Sequence, residues 1–117
     1  MKIACTAKGV GLDSPFDERF GRAEMFIIYD TSNNTYSVID NKENTQVAQG
    51  AGVQAAQIVI DSGANILITG HLGPKAAQVI LNSDVKAYQC EAETVREAID
   101  KYRSNKLKKI EKQNFEG

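Results

Sequence analysis

Residues 66–81 constrain the fold most, and they read ILITGHLGPKAAQVIL. An apolar run, a turn bracketed by Gly70 and Gly73, and a proline before helix-forming residues predict a buried strand, a turn and a helix N-terminus. In α/β proteins ligands bind beyond the carboxyl ends of strands, and a turn that opens a helix offers backbone N–H groups to an anion. His71, the single histidine of the chain, lies in this turn. We therefore expect the functional site at this turn.

The rest of the chain predicts strands and helices around this stretch. Apolar runs with strand character occur at 2–7, 25–29, 35–39 and 85–88, and helical spacing of apolar residues occurs at 53–60 and 95–102. The resulting order, β-β-β-α-β-α-β-α, predicts an α/β fold in which a mixed five-stranded sheet lies between two layers of helices. We expect a strand order of 3-2-1-4-5 with strand 2 antiparallel. Residues 1–103 would form one α/β domain, and residues 104–117 a polar, basic C-terminal tail.

This strand order creates a switch point between strands 1 and 4. The long loop that follows strand 1, residues 8–23, would then face the glycine turn that follows strand 4. The two segments together offer cationic side chains, an imidazole and glycine backbone, a combination suited to an anion. The residues that we expect to bind a ligand are Arg19, Arg22, Gly70, His71 and Gly73.

Composition limits the class of protein. The chain has 117 residues, of which 42% are apolar and 25% charged, and a net charge of −1. These values fit one folded domain, and they give no general attraction to nucleic acid or to a membrane surface. No apolar run approaches the roughly 20 residues that span a bilayer. The N-terminus enters a strand without a signal-peptide pattern, so we expect a cytoplasmic protein.

The two cysteines have two interpretations. Cys5 and Cys90 stand in no Cys-x-x-Cys or other close-ligand spacing. In a reducing compartment, lone cysteines are typically small buried hydrophobic residues. The alternative is that Cys90, and with less support Cys5, joins His71 as a metal ligand.

No complete catalytic constellation is present in the sequence. The turn Gly70-x-x-Gly73 lacks the Gly-Lys-Ser/Thr of a phosphate-binding loop, and Gly9-x-Gly11 lacks the third glycine of a dinucleotide fingerprint. There is no paired-histidine zinc motif and no nucleophile elbow. The pattern therefore favours a binding protein over an enzyme.

Several short motifs resemble one known family. They are the start Met1-Lys2-Ile3-Ala4, the segment Arg19-Phe20-Gly21-Arg22-Ala23 before Phe26-Ile27-Ile28-Tyr29-Asp30, the helix opening Gly50-x-Gly52, and Ile68-Thr69-Gly70-x-x-Gly73-Pro74-x-Ala76. Together they resemble the dinitrogenase iron–molybdenum cofactor biosynthesis family over residues 1–103. The resemblance implies a ribonuclease-H-like three-layer α/β/α fold. It also implies a small carrier that binds an iron–sulfur or iron–molybdenum cofactor, or its precursor, and passes it to a cofactor-assembly protein or an acceptor apoprotein.

The chain departs from this family pattern at one position. Many members carry a histidine just before Phe-Gly-Arg-Ala, where this chain has Arg19. An arginine does not ligate iron, but it pairs with an anionic cluster through charge-assisted hydrogen bonds. His71 is then the one imidazole available to a metal.

Two other functions stay open at this point. The glycine turns also suit a phosphate- or nucleotide-binding domain, although no group of carboxylates is placed to hold Mg²⁺. Alternatively, the chain is a ligand-free protein-interaction module, in which the basic tail and the exposed edge of the predicted hairpin bind a partner or form a homodimer.

Overall fold

Strands from both halves of the chain form one mixed sheet in the order β3-β2-β1-β4-β5-β6. The computed structural model describes residues 1–112. Its elements are β1 (Lys2–Ala7), β2 (Met25–Asp30), β3 (Thr35–Asp40), α1 (Lys42–Thr45), α2 (Ala51–Asp61), β4 (Ile66–Thr69), α3 (Pro74–Leu81), β5 (Lys86–Gln89), α4 (Val95–Arg103) and β6 (Lys108–Lys109).

The two faces of the sheet are covered by different helices. Alternating residues of β1, such as Ala4 and Cys5, enter two separate apolar clusters because successive strand side chains point to opposite faces. One cluster contains α2 and α3 residues such as Val59 and Ile80. The other contains α4 residues such as Ile99. The predicted three-layer arrangement is therefore confirmed.

The central strands give the sheet its switch point. β1 pairs in parallel with β4 and antiparallel with β2, and β4 pairs in parallel with β5. The prediction for the first five strands, including the antiparallel β2, is confirmed. Because β1 and β4 are neighbours and run in the same direction, the segments that follow them begin at the same edge of the sheet.

The predicted number of strands is wrong, because the sheet has a sixth strand. Lys108 and Lys109, which we expected in a polar tail, pair antiparallel with Gln89 and Tyr88. The Ile110 N–H then donates to the Ala87 carbonyl at 2.8 Å, and the Ile110 side chain is buried in the α2–α3 cluster. Two apolar residues, Leu107 and Ile110, in a basic segment give too weak a pattern to predict a strand.

Two smaller differences concern the segment between β3 and β4. Residues 42–45, expected as part of a polar loop, form the single turn α1. α2 begins at Ala51, two residues before the first residue of the predicted apolar stripe. At the far edge of the sheet, β3 carries mostly exposed or half-buried residues, so pairing of two copies through this edge stays a prediction.

Candidate functional site

A backbone bridge joins the two predicted walls of the site. The His71 N–H donates to the Glu18 carbonyl at 2.6 Å, and the Phe20 N–H donates to the His71 carbonyl at 3.2 Å. Arg19 and His71 are thus paired as in a parallel sheet, although neither belongs to a named strand. The sequence-predicted convergence of the β1 loop and the β4 turn is therefore present as direct hydrogen bonding.

Small residues allow the walls to approach this closely. A Cβ atom on Gly70 would lie 2.6 Å from the Glu18 Cβ, and a Cβ on Gly21 would lie 3.0 Å from the Gly52 Cα and N. Gly52 in turn packs against the Ala76 side chain. Gly70 and Gly21 are therefore required by close backbone packing around the site, whereas nothing lies within 4 Å of a Cβ position on Gly50 or Gly73.

Arg19, Arg22, His71 and Gly73 line one crevice with a volume of about 560 Å³. Its other lining residues are Phe20, Gly21, Gly50, Gly52, Val53, Pro74, Lys75 and Ala76. Acidic side chains are missing from this lining, as far as residues 1–112 are concerned. The crevice is therefore bordered by one histidine and three cationic side chains, of which Arg19 is ion-paired with Asp17, with apolar and glycine surface between them.

Two helices begin at this crevice. α2 and α3 have Gly50 and Gly73 as their N-caps, and neither helix receives a side-chain hydrogen bond from its cap. The first-turn backbone N–H groups and the positive ends of the helix dipoles favour an anion. Pro74 at the first helical position removes one such donor from α3.

A buried carboxylate holds Arg19 in place. Asp17 is 1% exposed, and its Oδ1 accepts hydrogen bonds from the Arg19 backbone N–H at 2.9 Å and from Nε at 3.2 Å. Oδ2 accepts from Nη2 at 3.2 Å. Through this hydrogen bond and its charge, Asp17 raises the pKa of Arg19 above its ordinary value. The Arg19 side chain remains 64% exposed, so its guanidinium is oriented yet accessible.

Arg22 has a different set of partners. Its Nη1 donates to the carbonyl oxygens of Thr45 at 2.6 Å and Val47 at 3.0 Å. These contacts connect the β1 loop to the segment that leads into α2. Arg22 therefore organises the rim of the crevice as well as adding positive charge to it.

His71 and Gly70 also border a second, smaller space. His71 is exposed and lines the crevice on one side and a cleft of about 180 Å³ on the other. Gly70 lines only the smaller cleft of the two. The five predicted ligand-binding residues are therefore divided between two spaces, which share His71.

The cysteines lie on the other face of the sheet. Cys5 and Cys90 are buried in the α4 cluster, whereas the crevice opens on the α2–α3 side. Burial raises the pKa of Cys90 to about 11 and that of Cys5 well above its ordinary value. Neither thiol lines the crevice or the smaller cleft. Cys90 and His71, which we considered as joint metal ligands, therefore do not line the same crevice or cleft.

The donor set limits how a metal could be held. Within residues 1–112, no group of three or more histidine, cysteine, aspartate and glutamate side chains is arranged to hold a metal ion. The crevice offers one imidazole, several cations and backbone N–H groups. This combination suits a group that is itself anionic more than a bare metal cation.

Sequence reasoning missed two parts of the site. One is the burial of Asp17, whose main chain is held by hydrogen bonds with the Thr6 side chain and backbone. Lys108 and Lys109 reach the small cleft because β6 exists. The apolar Leu107 and Ile110 on either side of these lysines were the available signal.

The chain matches one protein family over most of its length. Residues 1–105 match the model of the family described as dinitrogenase iron-molybdenum cofactor. A comparison with curated proteins gives no significant match. No helix of residues 1–112 has the length and apolar character required to cross a membrane.

Solved structures show the same fold. The apo form of the orange protein from Desulfovibrio gigas is 38% identical, with a TM-score of 0.89 over 93% of this chain and 92% of that protein. A candidate NifB protein from Thermotoga is 34% identical, with a TM-score of 0.81 over 92% and 91% of the two chains. A candidate dinitrogenase from Methanocaldococcus jannaschii, at 19% identity and a TM-score of 0.69 over 94% of each chain, shares the fold. On this evidence of sequence and fold, the chain belongs to the dinitrogenase iron-molybdenum cofactor family.

Proposed function

We propose that the protein is a non-enzymatic carrier that binds an anionic iron–sulfur or iron–molybdenum type cluster, or its precursor, in the crevice. The observation that carries this proposal is the backbone bridge between Arg19 and His71. The bridge unites two segments that are distant in sequence into one crevice with cationic side chains and without acidic lining in the described chain. Its volume of about 560 Å³ lies within the range of small-ligand sites, about 300–1,000 Å³.

The cargo would be held mainly by charge and shape. Arg19, oriented by Asp17, and Lys75 supply positive charge at opposite walls, and the first turns of α2 and α3 supply backbone N–H groups. His71 is the one side chain of the lining that can ligate a metal directly. In such a site one side chain binds the metal, and the other contacts are hydrogen bonds and charge interactions with the cluster. This arrangement suits a cargo that must enter and leave, because few metal–protein bonds need to break.

Exposure of the site supports delivery to a partner. Arg19 and His71 are both exposed, so a bound cluster would remain within reach of a second protein. We propose a cofactor-assembly protein or an acceptor apoprotein as that partner, in keeping with the family to which the chain belongs. Cys90 is left out of the proposed ligand set because it is buried in the α4 cluster and lines neither the crevice nor the smaller cleft.

The experiment measures binding of a molybdenum–sulfur anion under anaerobic conditions. Tetrathiomolybdate, with and without Fe²⁺, is titrated into wild-type protein and into His71→Ala, Arg19→Gln and Arg96→Gln variants, and retained metal is measured after gel filtration. Arg96 is the matched control, because it is an exposed arginine paired with Asp13 outside the crevice. We expect weaker retention by His71→Ala and Arg19→Gln than by wild type and Arg96→Gln. Negligible retention by all four proteins would overturn the proposal.

A phosphate or nucleotide ligand is the second candidate, favoured by the two helix N-termini at the crevice. A thermal-shift screen with inorganic phosphate and nucleotides, with and without Mg²⁺, separates the two functions. A carrier of metal–sulfur clusters should show no stabilisation by these compounds. Stabilisation that is lost in Arg19→Gln, combined with no retention of tetrathiomolybdate, would favour the second candidate.

A further inference from the structure

The sixth strand places lysines beside the turn that carries His71. A cleft of about 180 Å³ separates β6 from the turn, and it is lined by Gly70, His71, Leu72, Gln89, Lys108, Lys109 and Ile110. His71 also lines the main crevice, so the cleft and the crevice have this residue in common. The basic end of the chain is therefore part of the same surface as the candidate site.

Strand geometry assigns Lys108 to the crevice side of the sheet. Ile110 is buried in the α2–α3 cluster, and a residue two positions earlier on the same strand points to the same face. Lys108 is also the direct cross-strand partner of Gln89, which stands at the carboxyl end of β5. Lys109 pairs with Tyr88, a residue of the α4 cluster, but it too lines the cleft and a neighbouring space beside α3.

The charge of Lys108 is not neutralised by an ion pair within residues 1–112. The salt bridges found there join Arg19 to Asp17, Arg96 to Asp13 and Lys101 to Glu97. Lys108 is exposed, and the residues that line the cleft include no acid among those described. An unpaired cation beside an imidazole favours an anionic ligand, and partial enclosure strengthens that attraction relative to open solvent.

We infer that β6 extends the ligand site across His71, and that the Lys108 side chain contacts the bound anion on the β5–β6 side. This inference rests on the proposed function, because it concerns how the same anionic cargo is held. It adds a third segment of the chain to the site, after the β1 loop and the β4 turn. It also gives the basic C-terminal strand a role beyond completing the sheet.

The test compares two lysines that differ in position but not in charge. Lys108→Gln and Lys86→Gln each remove one exposed cation from the paired strands β6 and β5. Lys86 is the matched control, because it stands at the opposite end of β5 and outside both spaces. Binding of tetrathiomolybdate is measured at several salt concentrations, together with thermal unfolding of each variant.

We expect Lys108→Gln to weaken binding by about 2- to 5-fold, the effect of one exposed charge contact, and to reduce the salt dependence of the affinity. Lys86→Gln should match wild type, Lys108→Arg should restore most of the affinity, and thermal unfolding should be unchanged. Equal affinities for wild type, Lys108→Gln and Lys86→Gln would overturn this inference and leave the proposed carrier function standing. No binding by the wild type would overturn both.

Discussion

Gly70 lies so close to Glu18 that a Cβ atom on Gly70 would be 2.6 Å from the Glu18 Cβ and 2.7 Å from its Cα. The same two segments share the hydrogen bond from the His71 N–H to the Glu18 carbonyl. The contact between these neighbours of Arg19 and His71 therefore sets the distance between the two walls of the site.

The first prediction is that Gly70→Ala separates the walls. Backbone atoms at such distances cannot be accommodated by a side-chain rotation, so the β1 loop must move. We expect a loss of about 1–3 kcal/mol in the free energy of unfolding, measured by urea denaturation, and weaker retention of tetrathiomolybdate. For the stability measurement, Gly73→Ala is the control in the same turn, because nothing lies within 4 Å of its Cβ position and its φ of −64° suits alanine. Similar losses of stability in the two variants would contradict the prediction.

The second prediction concerns the buried carboxylate beneath Arg19. Asp17→Asn keeps the shape of the side chain but removes its negative charge. It also replaces one of the two carboxylate oxygens that accept hydrogen bonds from the Arg19 side chain with an amide NH₂ group. We expect a loss of about 1 kcal/mol in the free energy of unfolding, because the Arg19 side chain is largely exposed and its attraction to Asp17 is screened. Asp17→Ala should cost more, since the part-buried Arg19 N–H then loses its acceptor. Glu18→Gln, an exposed neighbour, should change stability little, and an equal effect of Glu18→Gln and Asp17→Asn would count against this role of Asp17.

The location of the site was predictable because it depends on topology. Alternation of strands and helices indicates which strands are parallel neighbours, and the switch point between β1 and β4 then brings the loop with Arg19 to the turn with His71. The hydrogen bonds of the bridge, and the burial of Asp17, depend on the exact path of a loop with no periodic pattern. Such a path is set by packing against Gly70 and Gly21, which sequence periodicity does not report.

The sixth strand was not predictable from the hydrophobic pattern, because tertiary packing also determines the path of the chain after α4. The chain reverses after α4 at Asn105, whose φ of +57° is typical of a left-handed helix cap, and the Lys106 N–H donates to the Lys101 carbonyl at 3.0 Å. Asparagine after a helix is compatible with such a reversal but also with many loops. The strand itself is two residues long and basic, and it is fixed by tertiary burial of Ile110.

The third prediction tests that burial. Ile110 is 7% exposed in the α2–α3 cluster, so Ile110→Ala removes apolar contacts and leaves a cavity. We expect a loss of about 2–4 kcal/mol in the free energy of unfolding, measured by urea denaturation. Val10→Ala is the control, because Val10 is 62% exposed and its truncation should cost little. An Ile110→Ala variant as stable as Val10→Ala would show that the Ile110 side chain contributes no packing.

The fourth prediction is a loss of stability at alkaline pH that involves Cys90. Burial raises the pKa of this thiol from an ordinary 9.0 to about 11. Between pH 9 and 11 the unfolded chain therefore releases a proton that the folded chain retains, so the free energy of unfolding falls as pH rises. The contribution of Cys90 to the free energy of unfolding is fully present below pH 9, and about 2 kcal/mol of it is lost between pH 9 and 11.

Urea denaturation at pH 7, 9 and 10.5 should therefore give a smaller decline in the free energy of unfolding for Cys90→Ala than for wild type. Val95→Ala, which truncates a buried neighbour in the same cluster without removing a titrating group, should retain the wild-type decline. An identical decline in Cys90→Ala and Val95→Ala would mean that the Cys90 thiol ionises equally readily in the folded and unfolded chains.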